Sequence, residues 1–102
     1  MFKEVLDRYF AAHYEVKECT LPLSFGDRSK FTLHELTLFG ERYLLAEACR
    51  PLSFSEIDHF RFVLAKSNDR PAVFYLPKSP APLYRRLVKE VIPFLSEDHR
   101  YF

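Results

Sequence analysis

The chain has no tryptophan, two glycines (Gly26 and Gly40) and two cysteines (Cys19 and Cys49) in 102 residues. So few glycines build no glycine-rich phosphate loop, which disfavours nucleotide-binding enzymes of the common types, and they leave few positions for positive φ. The cysteines form no CxxC spacing and no apolar signal segment opens the chain, which points to a reduced, cytoplasmic setting rather than secretion. No apolar run is long enough to span a bilayer, so no membrane partner is expected. Charge of one sign is also missing. Fifteen Lys and Arg against fourteen acids leave a formal charge of +1, so any basic surface must be local.

What is present is apolar bulk. Hydrophobic residues make up 48% of the chain and aromatics 17%, with eleven Phe and six Tyr, enough for one domain around one core and too little for two. Disorder is not expected, on the same grounds.

Phe2, Val5, Leu6, Tyr9 and Phe10 recur at helical spacing, with Lys3, Glu4, Asp7 and Arg8 between them, which predicts an amphipathic first helix. Tyr14 to Leu21 reads as a short strand stopped by Pro22, and Gly26-Asp27 as a turn. Lys30 to Phe39 and Tyr43 to Cys49 read as an antiparallel hairpin. With Gly40-Glu41 as its two-residue loop, Phe39 lies opposite Arg42 and His34 opposite Glu47, which puts His34, Glu47 and Cys49 on one face.

Ser53-Phe54-Ser55-Glu56 fits a capping box at the start of a helix running to about Lys66, with Ile57, Phe60 and Leu64 as its core stripe. Phe62 falls off that stripe, next to the charged side. Pro71 to Leu76 has the near-continuous apolar character of a central strand buried on both faces. Ser79-Pro80 opens a last helix with Pro in the first helical position, and Pro93 bars its continuation. Phe94-Leu95 starts a final strand, and Glu97-Asp98 turns the chain toward Tyr101-Phe102. The expected order is αβββαβαβ, an α/β (α+β) domain with a mixed sheet flanked by helices.

That order resembles the restriction-endonuclease-like PD-(D/E)xK core, in which an acid on one hairpin strand and a (D/E)xK on the next bind a divalent ion. Here the slot reads Glu47-Ala48-Cys49, without the lysine. HELTLFGERYLLAEAC and PLYRRLVKEVIPF further resemble the N-terminal domain of bacterial winged-helix, MarR-like transcriptional regulators, which carries a degenerate nuclease-like domain. The resemblance implies residues 1–102 as a single restriction-endonuclease-like domain, serving as a non-catalytic regulatory or interaction module. It also implies that DNA is contacted through a winged helix downstream of the aromatic end at Tyr101-Phe102. The plain alternative for that end is a short protein whose last strand packs its aromatics.

Two other functions stay open. A metal-dependent nuclease with a substituted site would use Glu35 or His34 with Glu47, although strand alternation puts Glu35 on the face opposite Glu47. His34, Glu47 and Cys49 offer a softer nitrogen, oxygen and sulfur set for zinc or a similar metal, against the plain reading that they are ordinary strand residues. Nothing else in the chain calls for a cofactor. A self-associating adaptor would bury Phe62 and the Tyr101-Phe102 end in a homodimer. Arg85, Arg86 and Lys89 form a basic stripe opposite Leu83, Leu87 and Val91, with Lys78 just before it, suited to phosphates or simply to solvent.

Overall fold

The computed structural model describes residues 2–11, 13–19, 21, 23–67 and 69–101. Along the chain run α1 (Phe2–Phe10), β1 (Tyr14–Glu18), α2 (Phe25–Lys30), β2 (Phe31–Leu38), β3 (Glu41–Ala48), α3 (Phe54–Ser67), β4 (Ala72–Tyr75), α4 (Ala81–Lys89), β5 (Phe94–Leu95) and β6 (Arg100–Tyr101). The strands form one six-stranded sheet in sequence order. β1, β2 and β3 are an antiparallel meander, β4 and β5 lie parallel to β3, and β6 returns antiparallel to β5.

The phase of the apolar pattern in β2 determines how the two faces are covered. Phe31 and Leu33 are buried on one side of the sheet and Leu36 and Leu38 on the other, so the alternation changes phase at His34-Glu35. Strand side chains alternate sides, and such a phase change buries opposite faces at opposite ends of one strand. Phe31 and Leu33 join Ala46, Phe74 and Phe94 against Ile57, Phe60 and Leu64 of α3 and Tyr84 and Leu87 of α4. Leu36 and Leu38 join Leu45, Val73 and Leu95 beneath Val5 and Leu6 of α1. Each face therefore has a covered half and a polar half, and the polar halves lie at diagonally opposite corners. Phe60 stacks on Phe31 with ring centroids 4.0 Å apart and planes 5° apart, and lies fully buried. Burial of a side chain of this size stabilises the fold by about 2–3 kcal/mol.

β4 is a central strand, as its apolar run predicts, with Val73 and Phe74 buried on opposite faces. The capping box also forms. The Ser53 amide donates to Glu56 Oε1 (3.0 Å) and the Glu56 amide to Ser53 Oγ (3.3 Å).

Four local expectations are corrected. Gly26-Asp27 is not a turn but lies inside α2, where the Asp27 amide donates to the N-cap Ser24 Oγ at 3.2 Å and the Asp27 carboxylate accepts from the same hydroxyl at 3.0 Å. The first strand stops at Glu18 rather than Leu21, and Pro22 lies outside the described residues. Pro80 is the N-cap of α4 and not its first helical residue. The hairpin loop is Phe39-Gly40 and not Gly40-Glu41, because Leu38 pairs with Glu41. Both loop residues have positive φ, 49° at Phe39 and 84° at Gly40. That is the requirement of a type I′ turn, which matches the twist of the flanking strands and favours glycine in the second central position.

Candidate functional site

Moving the turn by one residue shifts the pairing by two, so His34 lies opposite Leu45 and Thr32 opposite Glu47. A shift of two preserves the side each residue faces. His34 and Glu47 therefore still share a face and meet diagonally, with His34 Nε2 3.1 Å from Glu47 Oε1. Their side chains are 15% and 25% exposed, in the polar half that α1 leaves open. Glu47 neighbours Tyr75 across the parallel β3–β4 pair. Burial pushes the Tyr75 phenol above its ordinary range, and the carboxylates of Glu97, Glu47 and Glu4 add to the effect, since negative neighbours oppose a second negative charge.

Cys49 belongs to a different contact. Its amide donates to the Lys30 carbonyl at 2.8 Å, and its exposed Sγ lies 3.5 Å from Thr32 Oγ1. The expected set of His34, Glu47 and Cys49 therefore divides into two pairs, His34 with Glu47 and Cys49 with Thr32. Among the described residues no group of three or more His, Cys, Asp or Glu is arranged to hold a metal ion.

Glu35 stands on the opposite face, in the polar half that α3 leaves open. It pairs with Arg70, whose guanidinium holds the Glu35 carboxyl below the usual carboxylate range through a hydrogen bond and its charge, with Arg42 and Lys17 adding to the effect. Nearby, burial pushes the Cys19 thiol up and the Glu35 charge raises it further, which disfavours the thiolate a nucleophile needs. A divalent ion of the magnesium type requires oxygen ligands converging on one point. The two hairpin acids are instead separated by the thickness of the sheet, each with a partner of its own.

The basic stripe of α4 also divides. Arg86 lies 4.2 Å from the Phe54 ring centroid and 3.8 Å from Glu90. Arg85 and Lys89, one turn apart, border a groove between α4 and the β5–β6 hairpin. Lys78 is exposed in the connection before α4. Val91 does not continue the apolar stripe; it lies beyond the end of α4, 69% exposed with φ 57°. Phe62 is 56% exposed, with the Arg61 guanidinium 5.2 Å from its ring centre. Tyr101 is half-buried against Phe94, and Phe102 lies outside the described residues.

Two important residues are missing from the sequence reading. Tyr84 is buried between Phe94 (centroids 5.2 Å apart) and His99 (4.2 Å). Its three-residue spacing from Leu87 was the available signal. Arg70, in the connection between α3 and β4, meets a partner 35 positions away, and no local pattern announces that contact.

The fold is α+β, a six-stranded mixed sheet with helices on both faces. No helix among the described residues is long and apolar enough to cross a membrane. No family model matches the chain, and no curated protein or solved structure is significantly similar to it.

Proposed function

We propose that this chain is a non-catalytic interaction module of restriction-endonuclease-like descent, serving a bacterial transcription regulator whose DNA contacts are made by a winged helix elsewhere. The order of elements supports the descent, although the short α2 between β1 and β2 and the extra strand β6 depart from the expected αβββαβαβ: a helix, an antiparallel three-stranded meander, a crossover helix and a strand parallel to the third. One observation carries the loss of chemistry. Glu35 and Glu47 face opposite sides of the sheet, bonded to Arg70 and His34, and the position two after Glu47 is Cys49. A nuclease of this kind needs its acids together to position a metal-activated water, and a cation beside them to stabilise charge.

Calorimetric titration with manganese and magnesium, alongside nicking of supercoiled plasmid, tests the proposal. The expected result is no saturable heat and no metal-dependent nicking, with the parent and Glu47→Ala indistinguishable. Saturable manganese binding or nicking that Glu47→Ala abolishes overturns it. That outcome favours the second reading, a metal-dependent nuclease with a substituted site, to which the contact between His34 and Glu47 gives some support.

A further inference from the structure

The groove between α4 and the β5–β6 hairpin encloses about 520 Å³. It has an apolar floor and a rim charged with one sign. Ala81, Tyr84, Val88 and Phe94 contribute the floor, while Arg85 and Lys89 stand along it, and no carboxylate lines it. Arg85 and Lys89 make no ion pair among the described residues. The nearby Asp98 is already engaged, accepting hydrogen bonds from Ser96 and Tyr84 and lying 3.1 Å from His99 Nδ1. In a chain of net charge +1, this is a local excess of positive charge beside exposed apolar surface.

The far wall of the groove is the end of the sheet. Among the described residues β6 is the terminal strand and pairs only with β5. The Ser96 amide bonds the His99 carbonyl, and Leu95 is opposite Arg100. Bonding alternates along an antiparallel ladder, so the amide and carbonyl of Arg100 point away from β5. The Arg100 guanidinium turns to the other face of the sheet, 4.8 Å from the Tyr9 ring centre. Arg100 therefore presents main chain to the groove.

An unpaired strand edge alongside a helix is a geometry for strand addition, in which main-chain bonds hold an extended peptide and alternate side chains enter the groove. We infer that this groove binds an extended acidic segment of a partner protein, added as a strand beside β6. Its acidic side chains, every second residue, enter the groove with their methylenes on Ala81 and Val88 and their carboxylates at Arg85 and Lys89, while the residues between them face the other side of the sheet. The inference rests on the reading of the chain as an interaction module, but it concerns a surface remote from Glu47, so metal titration and peptide binding can fail separately.

The probe is an acetylated, fluorescein-labelled octapeptide of alternating valine and glutamate, followed by anisotropy and by amide chemical shifts of the full chain. Saturable binding is expected, with shifts centred on Val88, Lys89 and Arg100. An Arg85→Glu/Lys89→Glu double variant should weaken it about tenfold or more, with the same loss in Arg85→Ala/Lys89→Ala. A copy of the peptide N-methylated at alternate residues should lose binding through its missing amides. Absence of binding by the parent overturns the inference, as do equal binding of a valine–lysine octapeptide or shifts centred elsewhere. Displacement of the peptide by a short DNA duplex that shifts the same amides assigns the groove to phosphate and overturns it as well. A concentration-dependent rise in mass that covers the groove assigns it to a second copy, with the same consequence.

Discussion

The amide of Ile92 donates to the carbonyl of Leu87 at 2.9 Å, and the residue between them that makes the reversal is Val91 at φ 57°. With the Val91 amide bonded to the Val88 carbonyl at 3.1 Å, this is a Schellman termination of α4, with Leu87 and Ile92 meeting in the core. Glycine is the usual residue at that position, and a β-branched side chain there is strained. Val91 is 69% exposed and gains little from burial. Val91→Gly should therefore stabilise the fold by about 1 kcal/mol, raising the urea midpoint at unchanged slope. A destabilised variant would show that the exposed valine makes a compensating contact.

Gly40 makes the complementary case. Its φ is 84°, and a Cβ built there meets nothing within 4 Å. Gly40→Ala should cost about 1 kcal/mol from backbone strain alone, with hairpin pairing unchanged in amide exchange. A much larger loss would indicate that the register depends on more than this turn.

Glu56 gives the fold an acid-sensitive element. Its carboxyl is held down to about 2, chiefly by the Ser53 amide and further by Arg50. The folded value lies below the ordinary 4.5, so the stabilisation is fully present above that ordinary value and is lost as pH falls toward the folded one. Glu56→Gln should be less stable than the parent at neutral pH by about 1 kcal/mol or less, the scale of a helix cap. The gap should close between about pH 4.5 and pH 2 in thermal melts. A gap independent of pH would assign the effect to shape rather than charge.

Completing a nuclease-like tripeptide should not create a nuclease. Cys49→Lys supplies a lysine two residues after Glu47, but it leaves Glu35 on the other face beside Arg70. Plasmid nicking with magnesium or manganese should stay at background. Cleavage above background would place the required second ligand at His34 or Thr32, both on the face of Glu47.

The parts legible in the sequence were those with short-range causes. Helical spacing in Val5, Leu6 and Tyr9, the Ser53–Glu56 capping box and the apolar run through Val73 and Phe74 each express a local period or a local hydrogen bond. The face shared by His34 and Glu47 was also legible despite the wrong turn, because parity survives an even slip. The α2 helix carried the same serine-to-acid spacing as the capping box at Ser24 and Asp27, but glycine in the middle gave it the look of a turn. The partners of Glu35 and the lining of the α4 groove were not legible, since they depend on how strands distant in sequence are laid side by side.

Tyr84 connects several of these parts. Its hydroxyl accepts from the Ser79 amide at 2.9 Å and donates to Asp98 at 3.3 Å, while its ring lies between Phe94 and His99. One side chain thus pins the entry to α4, the helix itself and the bend of the terminal hairpin to one another. Mechanically it is a strut. The helix and the last strand keep a fixed separation, so the cleft between them is set before anything enters it, and an occupant is spared the cost of ordering its walls.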